Sequence, residues 1–376
     1  MKKIAIIGAG ISGLYLANLL EKEKDLDYKI FEKRSKLNLE EGYGIQLSVN
    51  SIKLLNKIGF KNITASDIFF PTKVNFFKSN NPNKICDIDL TQFNDDLNRY
   101  TTTKRSTLLK FLLENIPKDK IKFSTILNHL EYNNHIKANF SDESEENFDF
   151  VIIADGVFSQ SKLIISKESL KPKFNNNIAL RGKLNKYDDH NISIFMGPNF
   201  HYVIYPVNQN NEYNFVAILR KNLDKSDLNN EKLFQSQDFI NSLIEILNNN
   251  SSINLQNLTK IQAFPIFVSK SLPTANRKNI FLSGDALFAF PPSFAQGASQ
   301  SIETAQEIFE SINSNSDILY KNRISRIYSI NWRSKLNSFA FHLSNPINIF
   351  IRNIFLKYLS KNKIFLKNYL GKIYKN

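Results

Sequence analysis

Asn279-Ile280-Phe281-Leu282-Ser283-Gly284-Asp285-Ala286-Leu287-Phe288-Ala289-Phe290-Pro291-Pro292-Ser293-Phe294-Ala295-Gln296-Gly297-Ala298 decides the fold. An apolar run, Asn279 to Ser283, predicts a strand that delivers the Gly284-Asp285 pair. A loop stiffened by Pro292 follows. Gln296-Gly297 then opens a run from Ala298 to Ile312 that predicts a helix. An aspartate at a strand end can accept hydrogen bonds from ligand hydroxyls. The first N–H groups of a helix have no partner within it, and the positive end of its dipole favours negative charge.

The start of the chain supplies the complementary half. Ile4 to Ile7 is a short apolar strand running into Gly8-Ala9-Gly10-Ile11-Ser12-Gly13, and Leu14, Leu16, Ala17, Leu19 and Leu20 read as a helix. Tyr28 to Glu32 is a second strand ending in an acid. Gly8 permits a tight turn, Gly10 lets the backbone approach a pyrophosphate, and Gly13 lets helix and strand pack closely. Glu32 stands where it can accept hydrogen bonds from an adenosine ribose. A glycine loop alone is weak evidence. One between a strand and a helix, with the acid correctly placed, is strong. FAD and NAD use the same unit, so these residues leave the ligand open.

Taken together, four segments resemble the group A FAD-dependent aromatic hydroxylases, the p-hydroxybenzoate hydroxylase-like monooxygenases, and most of all their salicylate hydroxylase branch. The segments are Gly8 to Gly13 with Glu32; Gly42-Tyr43-Gly44-Ile45-Gln46-Leu47-Ser48-Val49-Asn50; Arg105 with Leu108 and Leu112; and Ala154-Asp155-Gly156-Val157-Phe158-Ser159, joined by the long run above. Weaker echoes are Arg181-Gly182, Gly197-Pro198 with Tyr205-Pro206-Val207, and Phe341-His342-Leu343.

The resemblance implies an α/β fold: a Rossmann-like FAD-binding domain of the GR2 type, an inserted, mostly antiparallel substrate-domain sheet, and a helical C-terminal tail. It assigns residues 1–75, 100–170 and 265–330 to the FAD domain, 76–99 and 171–264 to the sheet, and 331–376 to the tail. It implies non-covalent FAD, NAD(P)H as a transient co-substrate, dioxygen, and hydroxylation of a small phenolic substrate through a flavin hydroperoxide. The implied cofactor residues are Gly8, Gly10, Ser12, Gly13, Glu32, Lys33, Gly44, Gln46, Arg105, Asp155, Gly156, Gly284, Asp285, Gln296, Gly297 and Ala298. Arg105 is implied to reach the pyrophosphate, Asp285 the ribityl hydroxyls, and the 296–298 helix start the pyrimidine end of the flavin. Three positions depart from the family pattern: Phe288 stands for His, Lys162 for Arg, and Glu303-Thr304 for a Glu-Asp pair.

The chain has 376 residues, 42% of them apolar, enough for a substantial core. No stretch approaches a membrane span. Cys86 is the only cysteine, so no internal disulfide or thiol metal site can form, and a cytoplasmic protein is expected. Charge is uneven. After Asp317 there is no acid, while residues 318–376 hold twelve Lys or Arg, so +12 of the net +14 lies there. Ile347, Ile351, Ile354, Phe355 and Tyr358 could line one face of a helix. Such a basic amphipathic tail suits either peripheral contact with an anionic membrane or, more simply, a packing helix with a solvated basic face. No nucleic-acid recognition module is visible, and a monomer or homodimer is expected.

None of the five histidines (129, 135, 190, 201, 342) has metal-ligand spacing, and no metal is expected. His201 precedes the Tyr205-Pro206 strand and could deprotonate a phenol, although such a residue is more often an ordinary strand histidine. Two rival readings stay open: hydroxylation or epoxidation of a membrane-borne quinone precursor or isoprenoid, and a flavin-binding sensor without turnover, motivated by Phe288 and Lys162.

Overall fold

The computed structural model describes residues 1–39, 43–132, 135–165, 171–252, 255, 257–272, 279–314, 316 and 318–374. Gly42 and Lys375 lie outside the described residues. A five-stranded sheet runs in the order Ile280–Leu282, Phe150–Ile153, Lys2–Ile7, Leu26–Phe31, Ile121–Lys122. Every neighbouring pair is parallel. Both faces are covered, which is why Ile4, Ala5, Ile6 and Ile7 are all apolar and buried. Alternation divides them. Ile4 and Ile6 pack with the helices Ile11–Leu20 and Gly297–Ser314. Ala5 and Ile7 pack with an antiparallel meander of Leu127–Tyr132, Ile136–Phe140 and Glu145–Phe148.

A seven-stranded sheet runs Thr259–Val268, Lys173–Leu184, Tyr213–Arg220, Phe200–Pro206, Ile192–Gly197, Lys73–Lys78, Asn81–Asp89. It is antiparallel except where Ile192–Gly197 meets Lys73–Lys78. The two-residue strand period sorts its side chains. Tyr202, Ile204, Phe215, Ala217 and Leu219 pack against the helix Gln237–Asn248. His201, Val203, Tyr205, Val216 and Ile218 face the opposite way, into a cavity. Cys86 sits half-buried in the strand Asn81–Asp89.

The helix expected from Ala298 to Ile312 spans Gly297–Ser314, followed by Ile318–Phe341 and Pro346–Leu359. A buried ion network joins the first two. Arg323 donates to Glu303 at 2.8 Å and grips Glu307, and Arg326 donates to both oxygens of Glu303 at 2.6 and 2.5 Å. Asn50 also donates to Glu303.

The tail divides rather than acting as one packing helix. Leu366, Leu370, Ile373 and Tyr374 are buried in a cluster with Tyr100, Tyr205 and Phe294. The apolar stripe of Pro346–Leu359 instead faces solvent: Ile347, Phe350, Ile351, Ile354, Phe355 and Tyr358 are all exposed. No helix among the described residues is long and apolar enough to cross a membrane.

Candidate active site

The site lies where the carboxyl ends of the parallel strands meet the inner face of the larger sheet. Its three N-terminal glycines occupy three different environments. Gly8 has φ +109°, and a Cβ there would lie 2.5 Å from the Ala154 carbonyl oxygen. A Cβ on Gly13 would lie 2.1 Å from the Gly8 carbonyl oxygen, so only hydrogen fits where the helix crosses the turn. A Cβ on Gly10 would meet nothing within 4 Å, so the backbone there borders open space. Glu32 is buried. Its carboxylate accepts from Ala9 N at 2.9 Å and Arg34 N at 3.0 Å, tying the acid to the glycine loop. Each oxygen keeps a further lone pair for a ligand hydroxyl. Ser12 turns away, donating to Ser301 O at 3.0 Å and contacting the Ser283 hydroxyl at 2.6 Å. Lys33 is exposed.

The second fingerprint converges on the same place. Gly156 has φ +86°, with open space where a Cβ would lie. Asp155 accepts from Ser161 N at 3.2 Å through Oδ2, while its buried Oδ1 has no hydrogen-bond partner in the protein. Lys162 is buried and donates to Val157 O at 3.2 Å. Burial pulls its ammonium below the ordinary lysine value, and Asp155 and Asp285 pull it back up. Lys162 therefore bridges electrostatically between the two acids of the two motifs. The sequence had shown it only as a departure from arginine.

Gly284 has φ +59° and fits between Ser301 and Ser12. Asp285 has accessible surface, but it opens into the cavity. Protein closely surrounds the carboxyl, and desolvation raises its pKa against the opposing pull of Arg105 and Lys162. Arg105 begins the helix Arg105–Glu114, its backbone N–H held by Tyr43 O at 2.8 Å. Pro292 lies in a short turn on the cavity wall, and Ala295 after it takes φ +50°. Gln296 is buried, donating to Ser48 Oγ at 3.1 Å and accepting from Gln300 at 3.2 Å. Gly297 and Ala298 put the start of the long helix on the cavity.

The cavity is about 630 Å³. Beyond Gln46 and Gly44 its walls are mostly apolar sheet and tail side chains. Gln46 accepts from Tyr100 at 2.9 Å, and Gly44 N donates to Asn214 at 2.6 Å. A Cβ on Gly44 would overlap Asn214 and Tyr205, so this close approach also needs glycine. Arg181 reaches the cavity across the rings of Tyr43 and Phe264.

His201 also lines the cavity, but it is paired. Its Nδ1 is 2.8 Å from Nε2 of His342. Burial, then the neighbouring ring, holds His201 well below the ordinary histidine value, and burial takes His342 down to about 4. Both rings are neutral at pH 7. Arg352, from the helix Pro346–Leu359, is a third buried polar group at this end. Burial lowers it to about 10, and it donates to Ala340 O at 3.0 Å. The sequence offered His201 as a candidate, but neither its pairing with His342 nor Arg352. Among the described residues no cluster of His, Cys, Asp or Glu could hold a metal ion.

Comparison with known proteins places this geometry. The family described as "FAD binding domain" matches residues 1–314, and the chain belongs to it. Among curated relatives, 3-amino-4-hydroxybenzoate 2-monooxygenase from Streptomyces cremeus is 25% identical over 228 residues, 57% of this chain and 56% of the relative. The FAD-dependent monooxygenase dpasE from Apiospora sacchari is 30% identical over 169 residues, 42% of this chain and 34% of the relative. The chain thus spans about a third to a little over half of these relatives' length. Among solved structures, a salicylate hydroxylase substrate complex superposes with TM-score 0.78 at 17% identity, covering 100% of this chain and 95% of the other. HpxO of Klebsiella pneumoniae, complexed with FAD and uric acid, superposes with TM-score 0.75 at 16% identity, covering 95% and 93%. At such identities these structures establish a shared fold.

Proposed function

We propose that this chain is a monooxygenase that uses FAD, NAD(P)H and dioxygen to hydroxylate an electron-rich, phenolic ring bearing an apolar body. The carrying observation is one continuous cavity. It joins Asp285 and the start of the helix Gly297–Ser314 to the apolar face of the seven-stranded sheet. The residues fit FAD. The open space at Gly10, the orphan buried oxygen of Asp155 and the cavity-facing carboxyl of Asp285 are the features a dinucleotide would fill and satisfy.

FAD, when bound, supplies the hydride acceptor and the oxygen-activating chemistry. The protein's own part is to bind, orient and exclude water. Gly10 would admit the pyrophosphate, Arg105 would offer it a guanidinium, and Glu32 would take the adenosine ribose. Asp285 takes the ribityl chain. The unpaired N–H groups at Gly297 and Ala298, with Gln296, stabilise negative charge at the pyrimidine edge. Pro292 stiffens the loop on the cavity wall that would border the ring. His201 is neutral and uses one ring nitrogen on His342, so its other nitrogen serves as a hydrogen-bond partner to a substrate hydroxyl rather than as a strong base. Oxygen transfer in a shielded pocket limits side reactions with water.

The apolar lining favours a substrate larger and greasier than a single ring. A site for benzene needs roughly 150 Å³, and this cavity is about 630 Å³. The test is NADH and NADPH oxidation by FAD-loaded protein against simple phenols and alkyl- or prenyl-substituted phenols, with product oxygen measured by mass. Substrate-stimulated oxidation with one oxygen incorporated, strongest for the substituted phenols, is expected. FAD binding without stimulation by any phenol would refute the proposal and leave a flavin-binding protein without turnover.

A further inference from the structure

The molecule's apolar surface is concentrated in one place. Of the twenty exposed large apolar side chains among the described residues, twelve belong to the last two long helices and Ile364 after them. On Pro346–Leu359 they fall at residues 347, 350, 351, 354, 355 and 358, a single helical stripe at intervals of three and four. On Ile318–Phe341 they fall at 324, 328, 332, 336 and 339, again one stripe. Trp332 is 59% exposed and Phe350 is 66% exposed. A surface of this extent on a folded protein marks a contact.

The charges say what kind of contact. Lys335, Lys357, Lys361 and Lys363 are exposed, and none forms an ion pair among the described residues. Lys335 sits three residues after Trp332, and Lys357 and Lys361 three residues after Ile354 and Tyr358, so they flank the stripes. No acid occurs after Asp317. A second copy docked two-fold on this face would set these unpaired lysines against one another. An anionic lipid surface matches both the apolar stripe and the cationic flanks. Three side chains connect this face to the interior: Trp332, Leu336 and Phe355 are exposed and also line the cavity.

We infer that the paired stripes of the helices Ile318–Phe341 and Pro346–Leu359 dock the protein on an anionic membrane surface, with the cavity mouth held against the lipid. Ligands dissolved in the bilayer then enter between Trp332, Leu336 and Phe355 without crossing water. The docking itself does not depend on the oxygenase reading. The lipid route for substrate does.

Co-sedimentation of the FAD-loaded full chain with vesicles tests docking without reading activity, so its failure would leave the proposed reaction standing. The protein should pellet with phosphatidylglycerol-containing vesicles at low salt, far less with pure phosphatidylcholine, and be released as salt rises. Lys357→Gln with Lys361→Gln should lower partition by up to roughly 25-fold, at about fivefold per lysine near the surface. Ile347→Ser with Phe350→Ser and Ile354→Ser should abolish pelleting with the melting temperature and FAD content unchanged, since these side chains are exposed and lie off the cavity. Wild-type protein that stays in solution with anionic vesicles at low salt would overturn the inference. So would undiminished pelleting of the triple serine variant, or self-association through this face that blocks vesicle binding.

Discussion

Replacing Glu303 by glutamine tests how the helix Ile318–Phe341 and the tail beyond it are held on the helix Gly297–Ser314. Both oxygens of Glu303 are occupied by donors: buried Arg323 and Asn50, and half-buried Arg326 through its Nε and Nη2. Arg326 in turn donates to the carbonyls of Lys372 and Ile373 at 3.2 and 2.8 Å, so the network reaches the end of the tail. Glutamine keeps the shape but removes the charge and points an N–H₂ at a guanidinium. Breaking one side of a buried pair costs about 3–5 kcal/mol. Arg323 keeps Glu307, so the low end applies, about 3 kcal/mol. At about 2 °C per kcal/mol for a large domain, the melting temperature should fall by about 6 °C.

The pH dependence has a definite direction. Burial alone would raise the Glu303 pKa. The hydrogen bond from Arg326 and the charges of Arg323 and Arg326 override it, and the net shift is downward from 4.5. A carboxylate with a lowered folded pKa adds stability that is full above its unfolded value and is lost as pH falls through the folded one. Glu307 takes its hydrogen bonds from Arg323, and burial leaves it raised against the charges of Arg323 and Arg326. Wild type and Glu303→Gln should therefore differ most near neutrality and converge below pH 4.5. Scanning calorimetry across pH checks this. Equal melting temperatures at pH 7, or a gap that persists unchanged into acid, would refute the account of the network.

Two further outcomes follow from the cofactor half. Asp285→Ala removes the charged acceptor facing the cavity and should weaken FAD binding by about 1–3 kcal/mol, up to roughly a hundredfold in dissociation constant; unchanged affinity in a flavin fluorescence titration would remove Asp285 from the cofactor site. Gly13→Ala places a methyl 2.1 Å from the Gly8 carbonyl, an overlap the turn can relieve only by moving, at about 1–3 kcal/mol; a variant that melts and retains flavin like the wild type would show that the turn yields freely.

The parts of the site visible in the sequence are those written locally. Gly8, Gly10 and Gly13 stand between a strand and a helix, and Gly284-Asp285 ends another strand, so each carries its structural setting beside it. What could not be read are meetings between residues far apart. His201 and His342 are 141 positions apart. Glu303 finds Asn50 253 positions away. Lys162 joins two motifs that each looked complete without it. The tail misled for a different reason: an amphipathic stripe has the same period whether it faces protein, lipid or water, and only the exposure of Phe350 and Ile354 shows which way it points.

The cavity draws one wall from Gly44 and another from Tyr374. Closing it therefore means bringing together segments more than 300 positions apart, late and non-local contacts that reward the chain only after most of it is ordered. During synthesis the glycine loop, the first strands and the large sheet can form while the tail is still unmade. The pocket they will share stays an open apolar face until Leu366 to Tyr374 arrive to seal it. A chain stalled anywhere before that point would present, to whatever meets it first, the apolar surface that the finished protein keeps inside its cavity.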